Sequence, residues 1–187
     1  MIVLKKRLED VNYNAEGVDL WKFRHQNKGP ILILDLDGTV RDDSHRLCLL
    51  PPPSILEMFP DNPNAAYRKY QAKSHLDEPV QGVIEVVKLL QSNPQMGTIV
   101  LSTGTASEGL LSACIASDQL EMWGISYDYL IMRHEDDQRH SVEHKLSCLE
   151  LFGFTQSDYE SRVFALDDAQ HICDAFRGLG MTVLKVK

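Results

Sequence analysis

The stretch Ile31-Leu32-Ile33-Leu34-Asp35-Leu36-Asp37-Gly38-Thr39 decides the fold of this 187-residue chain. Its first four residues form a continuous, β-branched apolar run, entered through Gly29-Pro30 and left through Asp-Gly. Such a run is typical of a strand that is buried on both faces of a parallel sheet. Similar runs lie at 98–101, 162–166 and 182–186, with a weaker one at 127–132.

Helical patterns separate these predicted strands. Segment 79–90 places five aliphatic residues at helical spacing behind a first-turn proline. Further helices are predicted at 108–117, 142–152 and 169–179. The alternation of strands and helices indicates an α/β fold, with a Rossmann-like central parallel sheet and helices on both of its faces.

Two segments interrupt this alternation. Residues 41–78 are rich in proline and hold one short helical candidate at 65–74. We expect a small helical cap or flap, inserted after the first core strand; an inert surface excursion is the alternative. Residues 1–30 are predicted to be an N-terminal extension packed on the α/β domain, which spans 31–187. Two strands are predicted in this extension, at 2–8 and 21–24.

Pairs of carboxylates follow two of the core strands. Asp35 and Asp37 follow the first, and Asp167 and Asp168 follow the fourth. Because parallel strands end at one edge of the sheet, the four side chains are expected to converge. Carboxylates so close together resist ionising unless a cation binds, and an all-oxygen ligand set selects Mg²⁺. Turn and helix-cap roles would explain one such aspartate, but not two pairs.

The chemistry that this grouping favours is phosphoryl transfer. Asp35 and Asp37 are two residues apart, so both can reach one substrate as the strand ends. A carboxylate can attack phosphorus to form an aspartyl-phosphate, while a second exchanges protons with the leaving oxygen and with water. Ser102 or Thr103, with nearby backbone N–H groups, can bind phosphoryl oxygens. Lys145, in the helix before the fourth strand, can complete the charge balance.

Together these residues resemble the four motifs of the haloacid dehalogenase superfamily. The matching segments are Asp35-Leu36-Asp37-Gly38-Thr39, Leu101-Ser102-Thr103, Lys145 and Leu166-Asp167-Asp168. The resemblance implies that Asp35 is the nucleophile and Asp37 the general acid/base. It implies that Thr103 binds phosphate and that Lys145 stabilises the nucleophile and the phosphoryl group. The implied Mg²⁺ ligands are Asp35, Asp37 through its backbone carbonyl, Asp167 and Asp168.

The chain is also similar to the phosphatase domain of bacteriophage polynucleotide kinase/phosphatases, which removes 3′-phosphates from nucleic-acid ends. This likeness rests on Ser44-His45-Arg46, Pro79-Val80, Leu130-Ile131-Met132-Arg133, Arg139 and Asp167-Asp168-Ala169-Gln170. Two positions depart from the pattern. Thr105 follows Gly104 where that family has arginine, and 140–142 lack the acidic residues that precede the third-motif lysine. The implied substrate is a nucleotide or a nucleic-acid 3′-phosphate end, and an unrelated small metabolite is the alternative.

The composition limits the kind of partner. Asp and Glu number 27 against 19 Lys and Arg, a net charge of −8, which argues against a general nucleic-acid binder. A local basic rim is still compatible with that charge, and its candidates are Arg41, His45, Arg46, Arg133, Arg139 and His140. The predicted substrate contacts are Ser102, Gly104, Arg46, Arg133 and Arg139.

The remaining expectations concern location and alternatives. The charged N-terminal segment and the absence of a long apolar run predict a cytoplasmic enzyme without membrane contact. Trp21, Tyr67 and Tyr70 are candidates for stacking on a base, although partial burial in the core or cap is the favoured explanation. A non-catalytic binding domain that retains the fold is the third functional alternative.

Overall fold

A computed structural model of the chain describes residues 1–5, 11–12, 20–58, 63–106 and 111–186. Its strands are β1 (Ile2–Lys5), β2 (Val11–Asn12), β3 (Ile31–Leu34), β4 (Arg41–Asp42), β5 (Glu78–Pro79), β6 (Gly97–Ala106), β7 (Tyr129–His134), β8 (Val163–Asp167) and β9 (Thr182–Lys185). Seven of these described strands form one sheet, in the order β2-β1-β7-β6-β3-β8-β9. Strands β7, β6, β3, β8 and β9 are parallel, and β1 pairs antiparallel with both β2 and β7.

The central strand of this sheet is β3, as its apolar run predicts. All four of its side chains are buried, and its neighbours on either side are β6 and β8. Leu34 pairs with Val100 on β6 and with Leu166 on β8. The residues that directly follow β3 therefore lie beside the ends of both neighbouring strands.

Helices cover both faces of the sheet, which confirms the predicted α/β architecture. They are α1 (Leu20–Gln26), α2 (Pro53–Leu56), α3 (Arg68–Gln71), α4 (Gln81–Gln91), α5 (Leu111–Met122), α6 (Ser141–Glu150), α7 (Gln156–Ser161) and α8 (Gln170–Gly178). Helices α4 and α5 pack on the face that includes Leu32 and Leu34. Helices α1, α6 and α8 pack on the opposite face, which includes Ile31 and Ile33. Alternate residues of the strands therefore pack into two separate hydrophobic cores, one on each face of the sheet.

The predicted strand at 21–24 is wrong, because these residues belong to α1. Leu20 and Phe23, three residues apart, are both buried, while Trp21 is 51% exposed. That is a helical spacing, which the short apolar–polar alternation of the segment had concealed. In the predicted strand at 2–8, β1 ends at Lys5, and 6–8 lie outside the described residues.

The insertion after β3 is a small helical cap. Besides α2 and α3, it contains three 3₁₀ segments, at Ser44–Leu49, Pro63–Tyr67 and Ser74–Leu76. Strands β4 and β5 pair at its two ends, through Arg41 with Pro79 and Asp42 with Glu78. This ribbon ties the ends of the insertion together next to the carboxyl end of β3, so the cap begins and ends beside the Asp35 motif.

Candidate active site

Asp35, Lys145 and Asp167 form a buried ion-paired centre at the carboxyl edge of the sheet. Lys145 Nζ lies 2.6 Å from Asp35 Oδ1 and 2.6 Å from Asp167 Oδ2. Asp35 follows β3 and Asp167 ends β8, so sheet pairing sets the two carboxylates side by side, while α6 brings in the lysine. Burial raises the pKa of Asp35, and the Lys145 ammonium opposes that effect. Burial alone would lower the pKa of Lys145, but the two carboxylates raise it.

Asp168 joins Asp35 and Asp167 to give three carboxylates with oxygen atoms within 4.8 Å of one another. Burial and the nearby charge of Asp167 raise the pKa of Asp168. Thr39 Oγ1 donates to the cluster, 3.1 Å from Asp35 Oδ2 and 3.3 Å from Asp168 Oδ1. One ammonium and three carboxylates leave a negative site built from hard oxygen donors, a donor set that suits a divalent cation such as Mg²⁺.

Gly38 makes this cluster possible in two ways. Its φ of +78° lies in the left-handed region that side chains disfavour. A Cβ at this position would also lie 2.6 Å from Asp168 Oδ2. The glycine therefore allows the sharp exit from β3 and leaves room for the Asp168 carboxylate.

The Asp37 carboxylate points away from that cluster and toward two arginines. Arg41 Nη2 lies 2.7 Å from Asp37 Oδ1, and Arg46 Nη2 donates to the same oxygen. Burial would raise the pKa of Asp37, but the charges and hydrogen bonds of Arg41 and Arg46 outweigh it and lower the pKa. Of the four predicted metal ligands, Asp37 alone keeps its carboxylate out of the cluster, so any metal contact from it is left to its backbone carbonyl.

Arg46 lies in the interior and not on a basic rim. Its guanidinium donates to Asp77 through Nε (2.8 Å) and Nη2 (2.6 Å), and it lies 4.0 Å above the Tyr70 ring. Arg41 is equally buried and donates to Gln119 Oε1 at 3.1 Å. The predicted substrate contact of Arg46 is therefore corrected: two carboxylates and an aromatic ring enclose the side chain, and it orients Asp37.

The predicted phosphate-binding residues lie in the last part of β6, between Ser102 and Thr105. Strand β6 shifts register against β7 at this point. Ser102 is buried, and its Oγ accepts a hydrogen bond from the Gly104 backbone N–H at 2.9 Å, so Ser102 supports the irregular end of β6 and does not line the cleft. Thr103 and Gly104 do line it.

A cleft of about 410 Å³ lies between this sheet edge and the cap. Its core wall includes Asp37, Thr103 and Arg133, and its cap wall includes Tyr67 and Gln71. The volume is that of a pocket for a small molecule or for the end of a larger one. Of the three aromatic candidates, Trp21 lies on α1, away from the cleft, whereas Tyr67 and Tyr70 both line it. The Tyr70 ring packs against the Arg46 guanidinium and its hydroxyl donates to Asp43.

Arg133 lines the cleft and forms no ion pair with a carboxylate of the described residues, although the charge of Asp137 acts on it. It is only 9% exposed, its Nη1 donates to the Arg139 carbonyl at 2.8 Å, and within the described ranges its Nε has no hydrogen-bond partner. Burial lowers its pKa. Arg139, in contrast, forms a fork with Asp137 at 2.8 and 2.5 Å. Arg133 also pairs across the sheet with Thr105, the position at which the sequence departs from the pattern of the phosphatases that it resembles.

Two cap residues lie at the site but belong to no sequence motif that could have predicted this position. Gln71 is 7% exposed and lines the cleft, and its Oε1 has no partner in the part of the chain that the structure describes. Asn64 Nδ2 donates to the carbonyls of Glu135 and Asp137, both at 2.8 Å, and so joins the cap to the loop after β7. Only the folded path of the cap brings these side chains to the site.

The fold and this arrangement define a phosphatase of the haloacid dehalogenase type. Residues 63–187 match the family described as the polynucleotide kinase PNKP phosphatase domain. Because the match covers more than half of the chain, the chain belongs to that family. The matched range contains Thr103, Lys145 and Asp167, whereas the Asp35 motif lies ahead of it. Family membership makes the chain an enzyme, and it does not support the alternative of a non-catalytic binding domain.

Solved structures show the same fold. A chain of the Pnkp1/Rnl/Hen1 complex is 22% identical with a TM-score of 0.60, over 85% of this chain and 46% of that one. A putative phosphatase from Clostridium difficile is 16% identical with a TM-score of 0.57, over 84% of both chains. A haloacid dehalogenase-like hydrolase from Streptococcus pneumoniae is 14% identical with a TM-score of 0.53, over 85% of both. The present chain thus spans less than half of the Pnkp1-complex chain.

A comparison with curated proteins gave no match. Among the described helices, none combines the length and the apolar character needed to cross a membrane.

Proposed function

We propose that this domain hydrolyses phosphomonoesters through an aspartyl-phosphate on Asp35, with Mg²⁺ as cofactor. We further propose that the substrate is a nucleotide or a nucleic-acid 3′-phosphate end. The observation that carries the proposal is the buried Lys145 ammonium, 2.6 Å from both Asp35 and Asp167, beside the cleft that Thr103 and Gly104 line. On this proposal, residues 31–187 form the phosphatase domain and 1–30 are its N-terminal extension.

The donor set supports Mg²⁺. Asp35, Asp167, Asp168 and the Asp37 backbone carbonyl would hold it, and Gly38 leaves space for the Asp168 carboxylate. When bound, the ion would neutralise the carboxylates and the phosphoryl oxygens together. Lys145 keeps the nucleophile oriented and adds a second positive charge near the phosphoryl group.

In the first step, the Asp35 carboxylate attacks phosphorus and the bond to the leaving oxygen breaks. The electron pair stays on that oxygen, which takes a proton from Asp37. In the second step, Asp37 takes a proton from the water that attacks the aspartyl-phosphate. The two arginines keep Asp37 ionised before substrate binds, and an ionised carboxylate suits its role as proton acceptor in the second step. The proton that Asp37 gives to the leaving oxygen in the first step is brought by the bound ester.

Arg133 and Tyr67 support a nucleotide-like substrate. The buried Arg133 guanidinium, whose Nε has no hydrogen-bond partner among the described residues, favours an anionic group on the ligand, such as a neighbouring phosphodiester. Tyr67, on the opposite wall, offers a ring to a base. The second candidate, a small anionic metabolite, is favoured by Thr105 and by the Asn64 contacts that join the cap to the core.

The test compares phosphate release from 3′-phosphorylated oligonucleotides, 3′-mononucleotides and sugar phosphates, with and without Mg²⁺. We expect Mg²⁺-dependent release that is highest on the first two, and loss of at least about 1,000-fold in Asp35→Asn. Activity of Asp35→Asn equal to wild type on an aryl phosphate would refute the mechanism. A preference for sugar phosphates would refute the substrate assignment while leaving the mechanism intact.

A further inference from the structure

We propose that the side-chain amide of Gln71 is a catalytic hydrogen-bond donor, which stabilises the leaving oxygen of the ester while the aspartyl-phosphate forms. This inference rests on the proposed function and adds a residue of the cap to its first step. Gln71 is the last residue of α3, within the insertion, and it lines the cleft.

The Nε2 atom of Gln71 and one oxygen of Asp37 border the same small space above Gly104. A Cβ at position 104 would lie 3.0 Å from Asp37 Oδ2 and 3.6 Å from Gln71 Nε2. Arg41 and Arg46 both donate to Oδ1 of Asp37, so Oδ2 is the oxygen that is left to face this space. Because residue 104 is a glycine, no side chain fills the space, and one oxygen atom of a ligand can contact Asp37 and Gln71 together.

The donor of the Gln71 amide is available to such a ligand. Its Oε1 is buried, whereas its Nε2 borders the space and donates to no other residue in the part of the chain that the structure describes. Gln119, a second buried glutamine, differs in this respect. Its Oε1 accepts from Arg41 at 3.1 Å and its Nε2 donates to the Ser74 carbonyl at 2.9 Å, so the protein uses both ends of that amide. Paired amides are the rule in protein interiors, and the unpaired Nε2 of Gln71 therefore indicates a partner on the ligand.

The residue before Gln71 fixes the position of α3 relative to Asp37. The Arg46 guanidinium lies 4.0 Å from the centre of the Tyr70 ring, and the Tyr70 hydroxyl donates to Asp43. The same guanidinium donates to Asp37 Oδ1. One arginine thus holds both α3 and the Asp37 carboxylate, which sets the Gln71 donor in place before the substrate binds. Donors that are fixed in advance stabilise a developing charge without a cost of reorganisation during the reaction.

The leaving oxygen is the substrate atom that fits this space. In the proposed first step it takes a proton from Asp37, so it must lie within hydrogen-bond distance of Oδ2. It also gains negative charge as its bond to phosphorus breaks, and an N–H group directed at that charge lowers the barrier. Gln71 Nε2 is such a group, on the side of the space opposite Asp37 Oδ2.

Atoms and charge balance in this step without a further reactant. An oxygen of Asp35 forms a bond to phosphorus, and the bond between phosphorus and the leaving oxygen breaks, with its electron pair kept by that oxygen. One lone pair of the leaving oxygen receives the proton from Asp37, and another accepts the hydrogen bond from Gln71 Nε2. Gln71 keeps its own hydrogen, and the alcohol is released.

The experiment varies the basicity of the leaving oxygen while the size of the ester stays similar. Wild type, Gln71→Met and Gln71→Asn would be given 4-nitrophenyl, phenyl and benzyl phosphate with Mg²⁺, and kcat/KM would be measured for each ester. This constant covers the steps up to release of the leaving group. The nitrophenyl ring disperses the negative charge of the leaving oxygen, whereas a benzyl oxygen retains it. Lys69→Met, an exposed position on the same helix, is the matched control.

We expect Gln71→Met to lower kcat/KM for benzyl phosphate about 10-fold, the effect of one hydrogen bond, and for 4-nitrophenyl phosphate by less than about 2-fold. Phenyl phosphate should lie between the two. Gln71→Asn, which withdraws the donor by one methylene, should show the same order, and it carries the test if Gln71→Met does not fold. Lys69→Met should match wild type on all three esters.

Equal losses on the three esters in the Gln71 variants would overturn the inference, because a general disturbance of the cap does not depend on the leaving oxygen. An unchanged kcat/KM for benzyl phosphate would overturn it as well. Both results would leave the proposed function standing. Failure of wild type to hydrolyse any of the esters with Mg²⁺, or activity of Asp35→Asn equal to wild type, would instead overturn the proposed function, and with it this inference.

Discussion

Replacing Lys145 by methionine should destabilise the domain strongly in the absence of Mg²⁺. The substitution keeps the length of the side chain but removes the one ammonium that contacts both Asp35 and Asp167 at 2.6 Å. All three groups are buried. Removing one partner from a buried ion pair costs about 3–5 kcal/mol, because the remaining charges are left uncompensated. Here two carboxylates lose their partner, so the upper part of that range is expected.

Two conditions should reduce the loss in Lys145→Met. Mg²⁺ replaces the missing positive charge, so saturating Mg²⁺ should stabilise the variant more than it stabilises wild type. Lower pH should also help, because burial raises the pKa of Asp35 and the folded variant then binds a proton that the unfolded chain releases. The variant should therefore recover stability as the pH falls from about 8 toward the ordinary carboxyl pKa of about 4.

The assay is urea unfolding of wild type and Lys145→Met in chelator and in Mg²⁺, at two pH values. Lys88→Met, an exposed lysine on α4, controls for the loss of a charge from the surface. A difference in unfolding free energy below about 1 kcal/mol in chelator would refute the reasoning, since such a value is typical of an exposed ion pair. Equal stabilisation of both proteins by Mg²⁺ would contradict the idea that lysine and metal share the same carboxylates.

Three further predictions follow from the geometry. Arg133→Met should raise KM about 10-fold for a 3′-mononucleotide that bears a second anionic group, yet leave 4-nitrophenyl phosphate unaffected; equal effects on both would contradict an anion-binding role. Gly38→Ala should lower stability by about 1–3 kcal/mol and weaken Mg²⁺ binding measured by calorimetry, because of its φ of +78° and the 2.6 Å approach to Asp168. His144, whose pKa burial lowers to about 4, is neutral when folded and charged when unfolded at mildly acidic pH, so stability should fall as the pH drops from about 6.5 to 4. Chemical unfolding of His144→Gln should show a flatter profile in that window; an unchanged slope would contradict the assignment.

The sequence predicts those parts of the site that follow from local periodicity and from strand ends. The run at 31–34 is typical of a doubly buried strand, and the convergence of the Asp35 and Asp167 pairs follows because parallel strands end at one edge of the sheet. Lys145 is predictable as well, since it lies on the helix that precedes the fourth core strand. Each of these inferences needs only the pattern of one short segment and the rule that parallel strands end at the same edge of a sheet.

The residues that sequence reasoning misplaced or missed depend on the path of the cap. Arg46 follows the Asp35 motif closely and carries a charge, which favours a surface role. It is buried because Asp77, at the far end of the insertion, folds back onto it. Gln71 lies in a four-residue helix with no motif. Contacts between the two ends of an insertion leave no periodic signal, so no local pattern predicts them.

The cap therefore contributes residues to the candidate site and does not only cover it. Arg41 and Arg46, on the first arm of the insertion, hold Oδ1 of Asp37. Asp77, on its last arm, orients Arg46 from behind. The other oxygen of Asp37 faces Gly104 and the Gln71 amide. Because the Asp37 carboxylate is held from both arms of the insertion, we expect a change in the cap's conformation to move this proposed acid/base residue directly, independently of any effect on substrate access.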